Sequence, residues 1–210
     1  MAEITRKELI LALIGASSQP RLAGLDLSEL DMSHLSLAYA ILCRSDLIGS
    51  DLSRTDLTGA DLAEANLSSA VMQATVLTSA NLAHTDLRNA NLSRGLLAWA
   101  QLQEATLAFI NLTSADLRHA NLSGCDLRDA RLPKANLHGA DLSQANLTKA
   151  NLTEANLSGA DLTGANLTGA DVTGADFSEA IMKGTEINQL QLTQTASLHD
   201  ALLPDGTRHD

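Results

Sequence analysis

Ala160-Asp161-Leu162-Thr163-Gly164 runs directly into Ala165-Asn166-Leu167-Thr168-Gly169. A period of five fits neither a helix nor a flat strand, whose side chains repeat at about 3.6 and about 2 residues. Stepping outward from Leu162 by fives, every residue from Leu22 to Leu192 is Leu, Met, Val, Phe or Ile, which makes 35 apolar centres in unbroken register. A fixed period held over so much of a chain marks a repeat architecture and takes precedence over any local helix or strand assignment.

The places around each centre are equally regular. Two residues before it stands Ala in most repeats, as at Ala60, Ala65, Ala115 and Ala160, and one before it stands Asp or Asn in 23 of 35. Ten of the 13 glycines, Gly49, Gly124 and Gly174 among them, fall two residues after a centre. That is where a type II turn requires positive φ. Pro133 follows its centre Leu132 directly, at the turn position that favours proline. Each repeat is therefore a short extended piece followed by a corner.

A chain of 210 residues suits one domain, but aromatic residues make up only 2% of it. The core must be built from small and medium aliphatic side chains. The net charge of −11 is spread along the chain without a block of like charges, a surface that repels nucleic acid and anionic membranes. No segment approaches the ~20 apolar residues of a membrane helix. Leu9 to Ala16, the longest apolar run, follows Arg6 and Lys7, yet it is short for a secretory leader and crowded by Glu3 and Glu8. A cytoplasmic location is expected, with a secreted or lumenal form as the alternative.

Motif for motif, these repeats resemble the pentapeptide repeat family, and the resemblance covers about nine-tenths of the chain. It implies an all-β solenoid: a right-handed quadrilateral parallel β-helix in which four repeats close one square coil. The centre and the residue two before it would point inward, and residues four repeats apart would stack. At ~4.8 Å per coil, 35 repeats make about nine coils and a rod ~42 Å long. The ending Leu203-Pro204-Asp205-Gly206-Thr207-Arg208-His209-Asp210 is similar to those of cyanobacterial members. The Asp or Asn before each centre is expected to hydrogen-bond local backbone at the corners. Calcium binding by these carboxylates is not expected, since Asn alternates with Asp and the glycine-rich nonapeptide signature of calcium-binding β-helices is absent.

Both ends of such a rod need covering. Residues 1–21 read as a capping helix and linker, 22–194 as the β-helix and 195–210 as a C-terminal capping tail. Thr5 and Glu8 have capping-box spacing, Ile4 and Leu9 could form a hydrophobic staple and Gly15 could stop the helix, which predicts a helix over 5–14. At the far end the next apolar centres, Leu198 and Leu203, follow a slip of one residue, placed near Thr195.

A filled rod with flat faces offers no cleft where unlike groups converge, so no catalytic residue, cofactor or metal is expected. Cys125 takes an inward position and Cys43 an outward one about four coils away, ~20 Å by the strand spacing and beyond disulfide reach. His34, His84, His119 and His138 fall on outward positions, with His119 and His138 on one face in adjacent coils. Function must then lie in exceptions to the repeat. Val76 and Leu96 break the Asp/Asn rule exactly one coil apart, on the face that also carries Trp99, the only tryptophan, with His119 next along its column. Val71 lies at the neighbouring corner and Phe109 on the opposite face. Val76, Leu96, Trp99 and His119 are therefore the candidate protein-contact patch. The expected function is a non-enzymatic scaffold or protein-interaction module with a protein partner. It would not bind nucleic acid or membrane directly, and would be a monomer or a dimer through one end. The alternative implied by the family is a DNA-mimicking inhibitor or protector of type II topoisomerases. Those members are rich in Phe at the centre, whereas only Phe177 holds a centre here.

Overall fold

The computed structural model describes residues 4–15 and 19–210. Each corner is a turn in which the centre's carbonyl accepts the N–H three residues on, as from Ala60 to Leu57 at 3.0 Å. The third turn residue has positive φ in every repeat from Gly24 to Gly184, between 54° and 71°. Most of these residues are not glycine, and that conformation costs an L-residue about 1–2 kcal/mol. Two sets of hydrogen bonds hold them there. One is local: in all 23 repeats with Asp or Asn before the centre, the side-chain oxygen accepts the backbone N–H two residues on, at 2.8–3.3 Å. The other runs between coils. Each centre's N–H donates to the carbonyl of the residue just before the centre one coil on, as from Leu22 to Ile41 and from Leu162 to Ile181, both 2.7 Å.

Four corners close a square, and parallel bridges join the residue before each centre to its counterpart in the next coil, from Arg21–Ile41 to Asn166–Glu186. The result is a right-handed quadrilateral β-helix. Its interior is a ladder of fully buried Leu centres interleaved with buried Ala, with Phe177 the one aromatic ring inside. Where Thr or Ser replaces the inward Ala, the hydroxyl finds a backbone carbonyl: Thr55 bonds Met32 O at 2.8 Å and Thr75 bonds Leu52 O at 2.7 Å. Ser50 Oγ is the exception, buried without a partner.

The first coil is covered by α1 (Arg6–Gly15), shifted one residue from the predicted span. Thr5 and Glu8 form the capping box, with Glu8 N–H on Thr5 Oγ1 at 3.3 Å and Thr5 N–H on Glu8 Oε2 at 2.7 Å. Leu9 is fully buried, while Ile4 and Leu13 pack partly buried against the same core. Arg6 ties the helix to the coils by donating to the carbonyls of Asp31 and Ser33, at 2.5 and 2.9 Å. Glu3 and Ala16, which bear on the leader-like reading, lie outside the described residues, as does the rest of 16–18.

The far end departs from the sequence expectation. Gly164 N–H bonds Lys183 O in the regular register, whereas Gly174 N–H bonds Gln194 O, one place beyond the regular partner Thr193. The slip therefore lies between Glu186 and Gln194, a few residues ahead of the place near Thr195 that the apolar pattern indicated. It is absorbed by α2 (Gln189–Leu192), a short helix capped by Asn188. Leu192, expected as the last centre, belongs to this helix. The helix closes the coil's end through Gln191, whose Nε2 donates to Leu167 O and Ala170 O at 2.8 and 2.9 Å. Coil bonding also continues beyond 194, where the β-helix was expected to stop: Asp176 bridges Ser197 and Ile181 bridges Leu202. Leu202 then pairs antiparallel with Arg208, so the last residues fold back along the open edge.

Candidate functional site

The face carrying centres 77, 97 and 117 holds the residues that the sequence singled out. Val76 and Leu96 stack across a parallel bridge. Val76 is half-buried, and Leu96 is 45% exposed. Both stand where 23 other repeats place an Asp or Asn bonded to the backbone, and neither can make that bond. Trp99, 58% exposed, stacks on the His119 ring at 4.3 Å between centroids and 22° between planes. His119 in turn meets the edge of His138 at 5.5 Å. The stack follows from the corner geometry, because a side chain at the positive-φ position lies over its counterpart in the next coil. A Cβ at Gly139 would come within 2.6 Å of His119 Nδ1, so glycine makes room for the ring. Val71 is exposed round the corner from this patch and Phe109, also exposed, stands on the opposite face.

Several other titratable groups are held in local pairs. Arg118 pairs with Asp116 at 2.7 Å, and Arg88 and Arg128 pair in the same way with Asp86 and Asp126, each cation two places after its carboxylate. The guanidinium hydrogen bonds hold all three carboxyls below the usual carboxylate range. A second kind of pairing runs along a column: Arg44 meets Glu64 at 3.0 Å, and His84 meets Glu104 at 3.4 Å. Among the described residues no three His, Cys, Asp or Glu side chains gather where a metal ion could sit. Burial pushes the Cys125 thiol up to about 12, and its Sγ donates to Leu102 O at 2.9 Å. Cys43 is half-buried and likewise free.

One feature escaped the sequence reading. On the adjacent face a hollow of about 560 Å³ is lined by Arg54, Arg94 and Arg131 together with Gln73, Ser93 and Thr113. Its signal was present in the sequence: charges read down the columns of stacked coils show Arg54 and Arg94 flanking Ala74, and Arg131 standing in a place reserved for Asp or Asn.

Such a rod, with covered ends, flat faces and an interior filled by side chains, defines the class: a β-helical solenoid of five-residue repeats. The chain belongs to the pentapeptide repeat family: the family model for pentapeptide repeats matches residues 26–62, 55–94, 96–132, 110–148, 134–169, 145–184 and 160–195. Among solved structures it is similar to HetL, a pentapeptide repeat protein involved in heterocyst differentiation regulation from the cyanobacterium Nostoc sp. strain PCC 7120. Identity is 31%, covering 99% of this chain and 100% of that one, with a TM-score of 0.53. A pentapeptide repeat protein of the Arabidopsis thaliana thylakoid lumen shows 33% identity over 56% of this chain and 74% of its own, TM-score 0.34. The plasmid-mediated fluoroquinolone resistance protein QnrB1 shows 21% identity over 81% and 90%, TM-score 0.45. No curated protein matches the chain. No helix among the described residues is long and apolar enough to cross a membrane.

Proposed function

We propose that this chain is a non-enzymatic protein-interaction rod, and that Val76, Leu96, Trp99 and His119 form the surface on which a protein partner seats. One observation carries the reading. Val76 and Leu96 forgo a hydrogen bond that every Asp and Asn in the same place makes, and they do so one above the other beside the exposed Trp99–His119 stack. Apolar patches with a polar surround serve as interfaces, and Trp is enriched among their anchors. The similarity to HetL, a protein involved in heterocyst differentiation regulation, supports a regulatory contact rather than catalysis. We place the rod in the cytoplasm and read it as a monomer or an end-to-end dimer.

The test uses Leu96→Asn, which restores the missing side-chain acceptor, together with Trp99→Ala. Leu96→Asn should keep or raise the melting temperature, the regained bond being worth about 0.5–1.5 kcal/mol. Partner capture from the native cell should nevertheless fall at least tenfold in the double variant. Equal capture by wild type and double variant would refute the patch. Inhibition or protection of gyrase in a supercoiling assay would favour the topoisomerase alternative instead.

A further inference from the structure

Of the ten arginines in this acidic chain, six pair with a carboxylate: Arg6, Arg44, Arg88, Arg118, Arg128 and Arg208. Of the four without such a pair among the described residues, Arg54, Arg94 and Arg131 line one groove, and all three are exposed. No lining residue is acidic. Along this face the place before the centre runs Asp51, Val71, Asn91, Asn111, Arg131, Asn151, so the regular supply of carboxylates is interrupted over the length of the groove. Ala74 makes the hollow: it takes the corner place between Arg54 and Arg94, where a longer side chain would fill the gap.

We infer that this groove is a docking site for an extended acidic peptide segment of a partner protein. The spacing argues for a chain of anions rather than one. Arg54 and Arg94 spring from coils two apart, ~10 Å, and the coil of Arg131 lies two further on, so a single phosphate or carboxylate cannot reach all three. An extended peptide of about six residues spans the ~19 Å between the first and last coils. Guanidinium forks bind carboxylates in bidentate fashion, and the hydroxyl and amide groups of Ser93 and Gln73 offer further donors. A long polyanion such as nucleic acid would meet the acidic surface beyond the groove, given the net charge of −11. The inference goes beyond the apolar contact reading and uses none of its four residues, although Arg94-Gly95-Leu96 connects the two faces and one partner could engage both.

The test measures binding of a fluorescein-labelled hexaglutamate peptide to the full chain by polarisation, with hexalysine and tripolyphosphate as comparison probes. The variant combines Arg54→Asn, Arg94→Asn and Arg131→Asn. Asn tolerates the positive φ of positions 54 and 94, and at 131 it is the usual resident of the repeat. Hexaglutamate should bind wild type, more weakly as salt rises, and about tenfold more weakly to the triple variant. Hexalysine should show no loss on mutation, and Trp99→Ala should leave hexaglutamate binding unchanged. Melting curves establish that the triple variant is folded, and the single variant Arg94→Glu provides an independent loss by charge reversal. Equal hexaglutamate affinity in wild type and the folded variants would overturn the inference, as would tripolyphosphate binding without hexaglutamate binding. Either result would leave the apolar patch standing. Loss of partner capture in the Leu96→Asn, Trp99→Ala variant with hexaglutamate binding intact would separate the two surfaces.

Discussion

Asp116 shows how much a single position does in this fold. One carboxylate oxygen accepts the N–H of Arg118, holding the corner, while the guanidinium of the same Arg118 pairs with the carboxylate from outside. Asn performs the first task as well as Asp does, which is why the two alternate freely along the rod. Among the described residues the same rule of satisfaction is broken at two buried side-chain atoms, Gln103 Oε1 on an outward position and Ser50 Oγ on an inward one. A buried hydroxyl without a partner costs roughly 1–3 kcal/mol, so Ser50→Ala should raise stability by about 1 kcal/mol, read from urea denaturation. Thr55→Ala, which removes a hydroxyl bonded to Met32 O, should lower it. Equal effects of the two substitutions would show that the hydroxyl's partner is immaterial.

At the scale of the repeat, the corner is held by hydrogen bonds to a carboxylate in some repeats and to an amide in others, and only the former titrate. The carboxyls of Asp86, Asp116 and Asp126 are lowered chiefly by the side-chain hydrogen bonds of their arginines, those of Asp26, Asp31 and Asp171 by Ser or Thr hydroxyls. A folded value below the unfolded one means the unfolded chain takes up protons first as pH falls. The stabilisation is therefore complete above the ordinary carboxylate range and is lost as pH drops through the depressed folded values. The melting temperature should be flat from about pH 8 to 5 and fall below about pH 4. Replacing Asp86, Asp116 and Asp126 together with Asn keeps the corner acceptors and should shrink that acid-induced fall. A melting curve against pH that is unchanged by the triple substitution would assign acid sensitivity elsewhere.

At the scale of the molecule, stability is passed from coil to coil and ends are the weak points. The C-terminal edge is closed by two devices, the Gln191 side chain and the antiparallel return that pairs Leu202 with Arg208. Removing residues 204–210 should free the backbone of Ala201 and Leu203, which now bond His209 and Thr207, and present an unpaired edge. Concentration-dependent association in sedimentation velocity is the expected outcome for the truncated chain. If it sediments as the full chain does, the return is dispensable for covering the edge.

The period of five and a corner in every repeat were legible in the residues themselves, whereas the square cross-section, the inward Leu and Ala and the outward Val76, Leu96 and Trp99 were what the resemblance to the pentapeptide repeat family implied; they hold because each repeat makes its own corner and needs only its neighbours in the adjoining coils. Local rules repeated without interruption leave little for distant contacts to decide, so the sequence by itself determined the rod. Two things depended on tertiary structure. The one-residue slip was placed near Thr195 by the apolar pattern, since Leu192 still falls in step with the period; the ladder bonds put it in α2, where a helical turn takes up the extra residue while keeping Leu192 buried. The arginine groove was invisible to a reading that looked for apolar exceptions, because each arginine alone is an ordinary surface residue. Only the stacking of coils reveals that Arg54, Arg94 and Arg131 share a hollow with no carboxylate in it, while others such as Arg118 and Arg44 are neutralised within their own corner or from the adjoining coil.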